Sequence, residues 1–481
     1  MRLSTGRRVR FAALLLGAVA ILAGALTPGD ATAYSIRTWL PVTDGSWSPP
    51  ANWSPNGTPT NSDSAIVTAG MNGHSLALDG DYSVGALQIQ GATTNFDFSG
   101  HSFSSGIFVN AGIARVSTGV STLSGPYHSL AGSQTQIFNG VLFNSPSQWQ
   151  NDGHAVVHST AGAVPSELRL VTYTTFSGTG DLQLNDASNA QITSPSGYSL
   201  TQSLGHTLHG AGRILPQLIN HGDLIADLGS GAALTVENIA QNDGAFGAAN
   251  GSPLVLVNSL NNSGGTINAN GGDVQLKGAG VSGGTYRSFG ASVIDNVAAS
   301  TVAGPITSAA TFRVNSGTVL NMGGAVTDSG SVLVHQSGGA SVATLRLVNY
   351  TTFQGPGEVK LTDPALAVFD SPSGYSVTQN AGHTIHGAGK ITLPMVNHGL
   401  VSADLPGQTL LETNTVNSDG ILDARNGATL LLQGANVTNG ALPVLVWVHS
   451  VPARDANGIE IKAAAVEVDR LAEPVAIAEA A

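Results

Sequence analysis

The chain contains no cysteine, and only 10% of its 481 residues are charged. Without cysteine there are no disulfides and no thiolate metal site or nucleophile, so stability has to come from hydrogen-bonded ladders and packing. Lys and Arg total 18 against 30 Asp and Glu, a net charge of −12. Four of those cations, Arg2, Arg7, Arg8 and Arg10, crowd the start of the chain. The thin remainder forms no basic patch able to neutralise a phosphate backbone, which argues against nucleic-acid binding. Aromatic residues are 5% of the chain. Long amphipathic periods of the helical kind do not occur before the last forty residues. No nucleophile elbow, zinc-protease helix, phosphate loop or calcium nonapeptide array is present. Gly178-Thr-Gly180 and Gly210-Ala-Gly212 read as turns, because no strand-helix-strand unit surrounds them.

What is present is glycine, 61 residues, with abundant Val, Leu, Ile, Thr, Ser and Asn. Low charge with many apolar residues is the opposite of a disordered composition. Short runs such as Ser64 to Val67, Gly85 to Gln90 and Gly106 to Asn110 alternate with Gly, Asn and Ser turns, which predicts strands throughout.

The strongest signal is a duplication. Residues 168–228 match residues 345–405 at a fixed offset of 177, with 35 of 61 positions identical. Leu168 to Phe176, Ser194 to Ser199, Gly205 to Gly212 and Asn220 to Gly222 reappear as Leu345 to Phe353, Ser371 to Ser376, Gly382 to Gly389 and Asn397 to Gly399. A repeat of this kind belongs to stacked architectures. Inside it lies a shorter unit of Asn-x-Gly, a short strand, a Gly turn and an apolar strand. It begins at Asn220, Asn242, Asn262, Asn397 and, with Ser in place of Asn, Ser418. The predicted fold is an all-β parallel β-helix, a β-solenoid with coils of about 20–22 residues and capped ends. About 19 such coils at a strand spacing of ~4.8 Å make a rod of about 90 Å. Coils should turn where positive φ is cheap, at Gly or Asn, and inward Asn side chains should form ladders along the axis.

The predicted organisation is a signal peptide over 1–33, a Trp-rich N-terminal cap over 34–67, and a solenoid over 68–441. The duplicated runs fall at about 134–264 and 311–441, and a C-terminal cap with a loose tail covers 442–481. The signal reading rests on the basic start, the apolar run Phe11 to Leu26 and a small-residue cleavage site Ala31-Thr-Ala33 before Tyr34. Beyond it no second apolar span is evident, so no membrane span is expected in the mature chain. The expected location is extracytoplasmic: secreted or at the cell surface, with the periplasm as the alternative.

Residues Trp39, Asp44 to Trp47, Ala51 to Pro59 and Asp63 to Val67 resemble the opening segment of bacterial secreted β-helix proteins. The resemblance is to those of the autotransporter-associated repeat, PEP-CTERM-like and filamentous-haemagglutinin-like adhesin type. With the Asn-x-Gly coils it extends over most of residues 38–440. It implies an adhesin-like surface or matrix interaction protein that binds glycans or proteins. The C-terminal barrel of an autotransporter and the sorting signal of the PEP-CTERM type are not recognisable here.

Three constellations are candidates for chemistry. Trp39, Trp47 and Trp53 suit either a sugar-stacking platform or a hydrophobic lid on the first coil, and the lid is favoured. His206, His209 and Asp227, duplicated as His383, His386 and Asp404, form a candidate divalent-metal set. However, two histidines three apart in a strand and turn point to opposite faces, so a structural role is preferred and no metal or cofactor is expected. Asp181, Asp186, Glu358 and Asp363 are scattered singly rather than paired, which weighs against catalysis. A polysaccharide-active β-helix enzyme, a lyase or glycoside hydrolase, is the alternative function. No catalytic residue is assigned.

Overall fold

In a computed structural model, residues 35–433 and 437–438 are described. They form one continuous β-solenoid of about 18 turns, 56% strand and 2% helix. The signal peptide expected over 1–33 lies outside the described residues, as does the C-terminal cap with its tail expected over 442–481.

Each early coil has three strands, and each strand pairs in parallel with the equivalent strand one coil on. One face stacks Asp63–Val67, Ala86–Ile89, Phe108–Asn110, Tyr127–Ser129, Gln148–Asn151, Thr174–Ser177 and Leu200–Gln202. A second face stacks Ser75–Ala77, Asn95–Asp97, Ile113–Val116, Gln134–Ile137, His154–Val157 and Asp181–Asn185. The third begins with Tyr82–Val84 and Ser102–Ser105 and includes Ser166–Arg169 and Ala190–Thr193. Thr207–Asn220 then runs along all three faces, pairing with Asp181–Asn185, Ala190–Thr193 and Leu200–Gln202 in turn.

The pleat directs alternate residues inward. Asp181–Asn185, for example, buries Leu182 and Leu184 and leaves Asp181 and Gln183 on the outer surface. Because pairing is in register, inward residues stack in columns. One column is aromatic. Phe108, Tyr127, Trp149 and Phe176 occupy successive coils, with ring centroids 4.9, 5.2 and 5.4 Å apart. The amide ladder predicted from sequence is also present. Asn220 Nδ2 donates to Asn242 Oδ1 at 2.6 Å, and Asn242 Nδ2 to Asn262 Oδ1 at 2.7 Å.

Coil length is less uniform than the sequence period. The step from Thr175 to Thr201 is a long one and that from Gln202 to Asn220 a short one. The duplicate repeats both, at Thr352 to Thr378 and Gln379 to Asn397. Following the register from Thr175 to Thr201, Ile219, Gln241, Asn261, Ser282, Ala303, Gly323 and the next coil at Thr351 counts eight coils. The two copies therefore stand about 38 Å apart along the rod at ~4.8 Å per coil.

The turn chemistry differs from expectation at one point. The glycines Gly222, Gly244, Gly399 and Gly420 of the Asn-x-Gly units are required by close approach rather than by positive φ. A Cβ on Gly244 would lie 2.1 Å from the Gly222 carbonyl oxygen, and one on Gly420 2.3 Å from that of Gly399. Gly210 and Gly387 meet both demands, with φ of 105° and 109° and a virtual Cβ about 2 Å from a carbonyl of the coil below.

The N-terminal segment is woven into the first coil. Ser35–Trp39 already pairs in parallel with Asp63–Val67, so stacking begins inside the segment assigned to the cap. Trp39 and Trp53 face each other in a short antiparallel pairing. Trp47 packs edge-on to Trp53 at 4.7 Å and to Phe103 at 5.4 Å.

Removing one rung of the amide ladder should be costly, because both neighbours lose a buried partner. Asn242→Ala is expected to destabilise the chain by about 1–3 kcal/mol in urea unfolding, while the exposed neighbour Asn261→Ala stays within about 0.5 kcal/mol. Equal effects at the two positions would contradict the ladder.

Candidate functional site

The outer surface of the second face carries a line of histidines and carboxylates drawn from successive coils. His154 lies opposite Asp181 in the strand register, and Asp181 lies opposite Thr207, two positions before His209. His154 Nδ1 is 2.5 Å from Asp181 Oδ2, and His209 Nε2 is 3.1 Å from the same oxygen. The other ring nitrogen of His209, Nδ1, is 3.1 Å from Asp227 Oδ2, one coil further on. His209 is held between two carboxylates. Burial disfavours its charged form, but the hydrogen bond to Asp181 and the charge and hydrogen bond of Asp227 outweigh that and raise its pKa. Burial likewise opposes ionisation of Asp181, yet the bonds from His154 and His209 leave its pKa well below the usual carboxylate range.

The duplicate rebuilds most of this line. His386 Nδ1 is 2.8 Å from Asp404 Oδ2, and its Nε2 is 3.0 Å from Glu358 Oε2. Glu358 stands where Asp181 does, but the residue opposite it on the preceding coil is Ser331, where the first copy has His154.

His206 and His383 do not join these lines. Their side chains point inward and are buried at 1% and 0% exposure, as their spacing from His209 and His386 implied. Asn151 Nδ2 donates to His206 Nε2 at 3.2 Å. In the second copy Asp328 replaces Asn151, with its Oδ2 3.9 Å from His383 Nε2, and the His383 ring stacks on Phe353 at 4.9 Å. Burial lowers both histidine pKa values to about 4 and raises that of Asp328. The set His206, His209, Asp227 is thus divided by the sheet, and so is His383, His386, Asp404.

The remaining sequence candidates resolve as follows. Trp39, Trp47 and Trp53 are at most 3% exposed, so none offers a face to a sugar, and the binding-platform reading is corrected by their burial in the lid. Asp186 and Asp363 accept backbone N–H bonds within their own turns, from Ser188 and Asn189 and from Ala365 and Leu366. His158 and His335 are buried turn residues with φ of 67° and 69°.

Two features were missed from sequence. One is His154, whose signal is coil spacing, one coil to Asp181 and one more to His209, rather than a local motif. The other is a duplicated pair of tyrosines at the corner leading into the first face. Tyr173 packs against Tyr198 at 5.2 Å, and Tyr350 against Tyr375 at 5.3 Å. Tyr198 and Tyr375 rest partly buried on the core, while Tyr173 and Tyr350 are 69% and 71% exposed. Val171 and Val348 stand exposed beside them.

Among the described residues no helix is long and apolar enough to cross a membrane. No protein-family model, no curated protein and no solved structure matches the chain.

The buried histidines give a signed pH dependence. Between pH 6.5 and about 4 the unfolded chain binds protons that native His206 and His383 exclude. Their contribution is therefore complete above pH 6.5 and is lost as pH falls toward 4, by about 3 kcal/mol each. His209 acts in the opposite sense. Its raised pKa stabilises the fold below pH 6.5, and that contribution disappears as pH rises through the folded value. Urea unfolding of His206→Gln from pH 7 to 4 is expected to show a shallower loss of stability than the parent chain. An unchanged slope would refute the assignment.

Proposed function

We propose that the chain is an exported, non-catalytic β-solenoid, an adhesin-like module that presents two copies of one surface to glycans or to a neighbouring surface protein. The observation that carries this reading is the duplicated tyrosine pair. Each pair sets an exposed aromatic ring on an anchored one, at the same corner of the coil, eight coils apart. Aromatic rings with a polar edge suit the apolar face of a neutral sugar. The nearby outer rungs are uncharged, Thr175 on Thr201 and Thr352 on Thr378, and a net charge of −12 disfavours anionic glycans. The rod fixes the separation, so a repeating glycan could engage both copies at once and gain avidity without new contacts. The likeness of residues 38–67 to secreted adhesin-type β-helix proteins agrees with this role. So does the export signal read in residues 1–33.

What weighs against glycan cleavage is the fate of the carboxylates. Glycoside hydrolases most often use two carboxyl groups flanking the scissile bond. Here Asp295 is clamped by Arg313, Asp370 by Arg346 and Asp63 by Arg37, while His128 holds Asp152.

On a glycan array and by surface plasmon resonance, the secreted chain is expected to bind neutral glycans. Tyr173→Ala or Tyr350→Ala alone should remove the avidity gain, about 10²-fold or more on a dense surface, and the double variant should abolish binding. Binding that survives the double variant would remove the tyrosine pairs from the reading. Sugar release abolished by a single Asp→Asn exchange would replace it with the glycan-cleaving alternative. Fractionation of the native host should find the mature chain outside the cytoplasm, beginning at Tyr34.

A further inference from the structure

The first copy of the histidine and carboxylate line has a composition that its hydrogen bonds alone do not require. His154 Nδ1, Asp181 Oδ2 and His209 Nε2 lie within 4.8 Å of one another, and all three residues are partly open to solvent. Two imidazoles and one carboxylate are the donor set of borderline divalent metals such as Zn²⁺. Ligand atoms of a tetrahedral zinc site with bonds of about 2.0–2.1 Å stand roughly 3.3 Å apart. The separations of 2.5 and 3.1 Å about Asp181 come within a small side-chain movement of that arrangement.

A second and independent observation lies behind the ligands. Metal-binding histidines nearly always give their other ring nitrogen to a carboxylate or carbonyl, which fixes the ring and its tautomer. Asp227 does this for His209, accepting from Nδ1 so that Nε2 is turned toward Asp181 and His154. The duplicate keeps this supporting pair as Asp404 and His386, and keeps a carboxylate as Glu358, but has Ser331 in place of His154. Among the described residues there is thus one three-ligand set and, eight coils away, the same set with one ligand removed.

We infer that His154, Asp181 and His209 form a binding site for one Zn²⁺-class divalent metal, oriented by Asp227, that ties three successive coils together and leaves a coordination position open to solvent. His154 belongs to His154–Val157, Asp181 to Asp181–Asn185 and His209 to Thr207–Asn220, so the ion would add metal bonds to strands already joined by their backbone ladder and by the side-chain bonds to Asp181.

The internal duplicate supplies the test. Calorimetric titration of the full secreted chain with Zn²⁺, and absorption spectroscopy with Co²⁺, should give one tight site, with a melting temperature that rises with metal concentration. His154→Ser makes the first copy like the second and should abolish tight binding. Because His154 is on the surface, circular dichroism of this variant should match the parent. Ser331→His completes the second set and should raise the stoichiometry from one to two, a gain that misfolding cannot imitate. Asp227→Asn, at the positioning residue, should weaken affinity by about 10–100-fold with the stoichiometry unchanged. A parent chain that binds no Zn²⁺ or Co²⁺ would overturn the inference. So would a His154→Ser variant of parental affinity, or a Ser331→His variant that remains at one.

Discussion

In-register parallel stacking is the constraint on which the rest of this molecule depends. One coil cannot bury its own inner face, so each inward side chain must be covered by the equivalent residue of the coils on either side. Like then rests on like. The aromatic column from Phe108 to Phe176 and the amide ladder from Asn220 to Asn262 are two outcomes of the same rule. An inward amide is tolerable because the next coil supplies the partner, whereas a lone buried amide would be left unsatisfied. The rule fails only where a coil has no neighbour. At the N-terminal end the chain closes the stack by folding Trp39, Trp47 and Trp53 over Phe96 and Phe103.

The same geometry organises the exterior. A charge on one coil finds its counter-charge about one coil away, where the backbone already fixes the approach. Arg313 reaches Asp295 and Asp273 on the two preceding coils, and Arg346 reaches Asp370 on the next. Histidines serve in the same way, His221 with Asp243 and His398 with Asp419. Exposed pairs of this kind add little stability each.

This explains which parts of the structure were legible in the sequence. The solenoid, its duplication and the amide ladder could be read because they are periodic along the chain. Asn-x-Gly repeats where corners repeat, and several of its glycines cannot change without striking the coil below, as Gly244 would strike Gly222. The opposite orientations of His206 and His209 followed from strand alternation alone. The outer constellations were not legible, because they join residues separated by one coil, and the coil has no fixed length. It is short from Gln202 to Asn220 and long from His154 to Asp181. Tyr173 and Tyr198 are neighbours because the strands that follow them pair Thr174 with Leu200, a separation that a fixed period of 20–22 residues does not give. Trp residues close to one another in sequence suggested a surface platform as readily as a lid, and only packing distinguishes the two.

The duplication shows where stacking leaves the chain free to change. Between the copies corners such as Ser194 to Ser199 and Asn220 to Gly222 stay identical and the inner columns keep their apolar character, with Leu182 against Val359 and Leu208 against Ile385. An interior polar change is felt by its surroundings: Asn151, bonded to His206, becomes Asp328, 3.9 Å from the retained His383, and burial raises the carboxyl pKa. Outward positions carry no such condition. His154 can become Ser331 and Asp181 can become Glu358 without disturbing a single inward contact, because alternate residues on a strand face opposite sides of the sheet. A stacked coil thus separates the residues that hold the rod together from those that meet the surroundings. Chemistry specific to one copy is therefore to be sought on the outer rungs, where a change in one coil leaves the inward packing of its neighbours in place.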